Sequence, residues 1–441
     1  MKNRLGRWVF WCVVLVSCAA CGHGGSKSTP NAQIRLVNST HATALSLTAT
    51  STASGSTAAT INSGVAEGTA GSYGAAAAGA YTVNVSTSDG SLTASTQTLN
   101  LTGAVNYTLV AYQRGGVINT LLLTDNITAP ASGFASFTVD NYSPDAGAVD
   151  VFVTAPGADI SNLSPTITNL TANTASVTQS ISAGTYDIVV TATNKPTDVR
   201  LTLHSVSLQS TEIAVLALTS TVGGALVDGT IVQQGGAVQL QRVTEARVRL
   251  VAAFPSTNNT NSIVTADVGG VAVQPVTSPS VGSYTLVPAN STVSSVSVDA
   301  TAATNLPTTT FVSGGDYTVL AHNDPTNPSV VVFTDSNLLP STGAKIRLVN
   351  AGVPTGGLAL VDNFVPLVTG LLYGQASPYS GVASGTSTIQ VTSPVQSFNP
   401  TNSNESVSLV SGGVYTLFVL GKFDTSNASG TQPLVVLNKD R

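Results

Sequence analysis

Ala344-Lys345-Ile346-Arg347-Leu348-Val349-Asn350 decides the fold, because the chain carries it in four versions. Close copies are Ala32-Gln33-Ile34-Arg35-Leu36-Val37-Asn38 and Ala246-Arg247-Val248-Arg249-Leu250-Val251-Ala252, and a weaker one is Ala135-Ser136-Phe137-Thr138-Val139-Asp140-Asn141. Each alternates with period two, the side-chain repeat of a β-strand. Ile34, Phe137, Val248 and Ile346 then point into a core. The alternation predicts that Gln33 and Arg35, Arg247 and Arg249, and Lys345 and Arg347 lie on a solvated face. The four anchors are 103, 111 and 98 residues apart, about the length of one β-sandwich domain.

Working outward, Gly79-Ala80-Tyr81-Thr82-Val83 aligns with Gly184-Thr185-Tyr186-Asp187-Ile188 and Gly282-Ser283-Tyr284-Thr285-Leu286, and Gly385-Thr386-Ser387-Thr388-Ile389 lacks the tyrosine. A glycine before such a run supplies the turn into a strand. A later strand begins at Tyr107, Tyr317 and Tyr415, with Ile213-Ala214-Val215-Leu216 in its place in the second copy. These tyrosines read as inter-sheet packing with the hydroxyl reaching a loop backbone, rather than as stacking rings. Terminal strands follow at Leu121-Leu122-Leu123-Thr124-Asp125, Val331-Val332-Phe333-Thr334-Asp335 and Pro433-Leu434-Val435-Val436-Leu437. No long apolar face has a helical period. The expectation is all-β: tandem immunoglobulin-like antiparallel β-sandwich modules at 31–129, 130–242, 243–341 and 342–441. Short Pro/Gly/Ser linkers predict an elongated row of modules.

The N-terminus is of another kind. Lys2, Arg4 and Arg7 precede an apolar run from Trp8 to Val16, too short for the roughly 20 residues of a helical span. Leu15-Val16-Ser17-Cys18 resembles the bacterial lipobox, which implies removal of 1–17 as a lipoprotein signal peptide and acylation, palmitate included, at Cys18. Cys21 is the alternative. Residues 18–30 read as a flexible tether. Ala19 after the modified cysteine implies sorting to the outer membrane, with the side of that membrane left open, and the membrane is then a partner through the lipid.

All three cysteines lie in this leader, so the body has no disulfide. Removing Lys2, Arg4 and Arg7 from 16 basic residues leaves 13 against 21 acidic ones, which disfavours nucleic acid, so none is expected as a partner. Charged residues are 8% of the chain, far below the roughly 25% of ordinary domains. Ser, Thr, Asn and Gln must keep it soluble.

The segments resemble the bacterial DUF4397 family of secreted and lipid-anchored β-sandwich proteins. The resemblance rests on Asn141-Tyr142-Ser143-Pro144-Asp145-Ala146 followed by Val149-Asp150-Val151, and on Tyr373-Gly374-Gln375-Ala376-Ser377-Pro378-Tyr379. It implies four diverged copies from about residue 31 onward and carries no known chemistry. The first and third copies lack the Ser-Pro-Asp-Ala turn.

Catalytic patterns are missing from the sequence. His23, His41, His204 and His322 are scattered over different segments, and there is no nucleophile elbow, His-Glu-x-x-His motif or phosphate loop. Asp125, Asp145 and Asp335 read as turn caps rather than Ca²⁺ ligands. The expectation is therefore a non-enzyme without cofactor or metal: a surface protein for contact or adhesion. The alternatives are a carbohydrate-binding module array and a structural stalk or assembly subunit. Expected partners are an envelope polysaccharide or another surface protein. Tyr373 and Tyr379 are the candidate binding residues, on a loop of the module farthest from the lipid.

Overall fold

The computed structural model describes residues 30–254, 261–353, 357–394, 397–398, 406–422 and 434–441. The signal peptide, Cys18, Cys21 and nearly all of the tether lie outside them, as does Pro433. The described residues form strands and turns with no helix, hence none long and apolar enough to cross a membrane.

Four separate cores organise them. One gathers Ile34, Leu36, Leu45, Val83 and Leu109. A second holds Phe137, Val139, Ile188 and Leu216. The third contains Val248, Leu250, Val264 and Phe311, and the fourth Ile346, Leu348, Leu360 and Leu417. The surrounding segments are called modules 1 to 4.

Each module has two main sheets, and module 4 adds a small pair of Gly385–Ser387 with Val407–Leu409. In module 1 one sheet runs Gly74–Ala76, Ala32–Asn38, Asn106–Arg114, Val117–Thr124, and the other Ala59–Ala66, Ala44–Ser51, Gly79–Thr87, Ser95–Leu101. Pairing is antiparallel with one recurrent exception: the first strand lies parallel to the Tyr strand. The two are some 70 residues apart, ample for the crossover that a parallel pair demands. The register is the same four times. Ile34 faces Tyr107, Phe137 faces Ala214, Val248 faces Tyr317 and Ile346 faces Tyr415.

Three of these partners are corner tyrosines. Tyr107, Tyr317 and Tyr415 accept, at their hydroxyls, the backbone N–H of Thr102, Val312 and Val410 at 3.1, 2.9 and 2.9 Å. Each bond pins the turn five residues upstream. Module 2 places Ala214 there and forgoes it.

The other tyrosine alignment is corrected. Tyr81 and Tyr186 sit on strands Gly79–Thr87 and Gly184–Ala192, which pair with Ala44–Ser51 and Val149–Thr154. Tyr284 instead precedes Thr285–Pro288, which pairs with the first strand of its own module. A Gly-x-Tyr-Thr run marks a turn into a strand but does not say which sheet the strand joins.

The modules are not strung apart on linkers. Val37, Val110, Tyr112 and Leu121 of module 1 pack with Ala217 and Val232 of module 2. Val251, Ala253 and Leu320 of module 3 pack with Val349, Ala351, Phe418 and Leu420 of module 4. Modules 2 and 3 meet where Gly223 N–H bonds Gly314 O at 2.9 Å. A Cβ on Gly223 would lie 2.5 Å from that oxygen, so the close approach requires glycine here.

Candidate functional site

The outward faces of the first strands carry the chain's concentrated chemistry, and they are buried. Arg35, Arg247, Arg249 and Arg347 are only 4, 7, 1 and 2% exposed. This overturns the solvated reading. Alternation tells which face a residue takes, and the neighbouring modules cover that face.

Three of these arginines stand in one repeated arrangement. Register places Arg35 opposite Thr108, Arg249 opposite Thr318 and Arg347 opposite Thr416. Each Nε donates to the threonine Oγ1, at 2.8, 2.8 and 3.1 Å. Each threonine donates onward to an aspartate at or just past the end of the terminal strand: Asp125 at 2.5 Å, Asp335 at 2.6 Å and Asp440 at 2.5 Å. A ring lies against each guanidinium, Tyr73, Tyr284 and Tyr379 at 4.8, 4.9 and 4.9 Å. Tyr73 and Tyr284 also donate to their aspartates. Module 2 has Thr138 opposite Val215 and lacks the set.

The free arm of each guanidinium crosses to another module. Arg35 donates to the carbonyls of Gly236 and Gln233 at 2.8 and 3.1 Å. Arg249 Nη1 reaches Asp440 in module 4. Arg347 Nη2 reaches Asp335 in module 3 and Nη1 the carbonyl of Thr334. The seam between modules 3 and 4 is thus reciprocal, each module's arginine entering the other's aspartate. Burial alone would lower the pKa of Arg249, but Tyr284, Asp335 and Asp440 outweigh it and hold it above the ordinary value. Burial alone would raise the pKa of Asp335, yet Arg347 and Arg249 hold it below the usual carboxylate range.

Asp145, in the Ser-Pro-Asp-Ala turn, joins more of the molecule. Its fully buried carboxylate takes both arms of Arg114 from module 1 at 2.8 and 2.7 Å. It also accepts Ser220 Oγ of module 2 at 2.5 Å and the N–H of Leu339 at 2.7 Å. Its own carbonyl accepts from Arg441. Burial works to raise its pKa, but Arg114, Ser220 and Leu339 keep it lowered. Asp125, Asp145 and Asp335 are therefore acceptors for side chains of the seams and not simple turn caps.

The candidate binding tyrosines belong to the same region. Tyr373 packs edge-on to His322 of module 3, centroids 4.9 Å apart, and burial pushes its pKa up to about 12. Tyr379 lies beneath Lys345 and Arg347. The two do not form an exposed row. Among the described residues, no group of three or more His, Cys, Asp or Glu could hold a metal ion. The first-strand asparagines escaped the sequence reading altogether. Asn38 and Asn141 are fully buried, and their side-chain amides donate to the Ala42 and Val65 carbonyls and to those of Gly147 and Leu170. Their recurrence at the strand end was the available signal.

The family model described as "Domain of unknown function (DUF4397)" matches residues 31–152, so the chain carries a DUF4397 domain there. The match ends inside module 2. A search of curated proteins gives no match. Among solved structures, the Bacillus anthracis TIE protein is similar at 12% identity and TM-score 0.14, over 87% of this chain and 70% of that one. The pilus adhesin SpaC from Lactobacillus rhamnosus GG gives 12% and 0.12, over 71% and 41%. BcpA, the major pilin subunit of Bacillus cereus, gives 12% and 0.12, over 66% and 99%.

Proposed function

We propose that the chain is a non-catalytic, lipid-anchored protein of the bacterial outer membrane that presents β modules at 31–129, 130–242, 243–341 and 342–441 for surface contact or adhesion. One observation carries the non-catalytic part: three buried aspartates at the module seams are taken up by arginines and neutral donors. Asp145, Asp316 and Asp335 are each held by arginine and by neutral donors, which leaves none of them poised as a general acid or base. Cross-connected modules suit a body that must hold its shape while tethered at one end. The anchor rests on Leu15-Val16-Ser17-Cys18 after a basic and apolar leader.

Intact-mass measurement of the membrane-extracted protein tests this reading. A chain beginning at acylated Cys18, with Cys18→Ala released from the membrane fraction, is the expected result. A chain beginning at Cys21 moves the anchor, and an unmodified chain overturns it.

A further inference from the structure

The cations left over from the seams gather in one place. Two clefts of about 710 and 460 Å³ adjoin where modules 2, 3 and 4 meet, sharing Asp198, Arg247, Lys439 and Asp440 in their walls. The smaller is lined by Lys195, Arg200, Arg247, Lys439 and Arg441 against Asp198 and Asp440, with Arg247 itself paired to Asp316. Both acids are already occupied. Asp198 accepts Arg200 at 2.8 Å, and Asp440 takes Arg249, Thr416 and Asn438. Among the described residues, Lys195, Lys439 and Arg441 have no carboxylate in ion-pair contact. Arg200 is 3% exposed, and its Nε has no hydrogen-bond partner.

Such crowding is costly without a counter-ion, because like charges in a partly dry cleft oppose one another. Burial and then Arg441 lower the Arg200 pKa to about 9. In a chain of net charge −5, a local excess of cations is specific rather than a general basic character. The larger cleft continues the groove with Ser283, Thr285 and Asn438. Its walls offer hydroxyls, an amide and the Lys439 ammonium, groups that suit a hydroxylated ligand bearing carboxylates.

We propose that this groove binds an acidic polysaccharide, with its uronate carboxylates seated on Lys195, Lys439 and Arg441. The proposal deepens the surface-contact reading and rests on it for its setting. Binding can be measured whether or not the chain is lipidated, so the two fail separately.

The test is titration of the full chain in detergent with a galacturonate hexamer, its methyl ester and polyphosphate. Lys195 and Lys439 are exposed, so Lys195→Gln with Lys439→Gln leaves the fold intact. The expected result is binding of the acid form, no binding of the ester, and about tenfold weaker binding by the double variant at unchanged melting temperature. Equal binding of acid and ester, or a double variant that binds like the parent, overturns the site. Binding of polyphosphate but not of the hexamer overturns the polysaccharide assignment.

Discussion

Arg249 of the third module ends on Asp440 of the fourth, 191 residues away in sequence. Arg347 of the fourth answers by ending on Asp335 of the third. A buried pair of this kind is expensive to break from one side, because the remaining charge stays buried. Asp440→Asn is expected to cost about 3–5 kcal/mol and Arg249→Met a similar amount. In a denaturant-based cycle the double variant should fall short of their sum by roughly 1–3 kcal/mol. Simple additivity would show that the contact does not couple the modules.

Asp145→Asn should destabilise more than the loss of a turn hydrogen bond. The substitution leaves Arg114 half-buried without its acid and weakens the bonds from Ser220 and Leu339. A loss of about 2–4 kcal/mol is expected by thermal denaturation. A change under about 0.5 kcal/mol would remove Asp145 from its joining role.

Two buried groups predict opposite pH dependences that offset one another. Asp140 stands in the module 1–2 seam where module 1 has Val37, and burial raises its pKa to about 6. Its folded form holds a proton that the unfolded form releases near pH 4, so this contribution to stability is present at low pH and lost as pH rises from about 4 to 6. His322 is the reverse. Burial lowers its pKa to about 4, so its contribution is present above about 6.5 and lost as pH falls toward 4. Asp140→Asn should therefore leave a chain that weakens on acidification over that window, and His322→Phe one that strengthens. Urea midpoints measured from pH 4 to 7 decide it, and parallel curves for the two variants would contradict the assignment.

Tyr379→Ala should lower the melting temperature, because it removes the ring beneath Arg347 and Lys345. Tyr379→Phe keeps the ring and should stay close to the parent. The same pair of changes at Tyr373 probes its contact with His322. Loss of ligand binding at unchanged melting would instead give these rings a role in recognition.

Strand character, the recurrent register of the first strand and the corner tyrosines were legible because each depends on residues within one module. Alternation around Ile34 and Ile346 shows which side chains face inward. It cannot show that Arg35 and Arg347 are covered too, since their cover comes from Gln233, Gly236, Thr334 and Asp335 in other modules. The false alignment of Tyr284 with Tyr81 has the same origin: equal local patterns enter different sheets. The groove was illegible for a simpler reason. Lys195, Arg247 and Arg441 come from three modules and never stand near one another in sequence.

Hydrogen exchange with segment resolution tests the central claim, that the modules are held to one another by buried arginine–aspartate contacts. The informative variant is Asp440→Asn, in module 4, compared with the parent chain under native conditions. Amides of Glu245–Ala252 and Asp316–Asp324 in module 3 are expected to lose protection together with those of Val414–Lys422. A loss confined to module 4, with module 3 unchanged, would contradict the account.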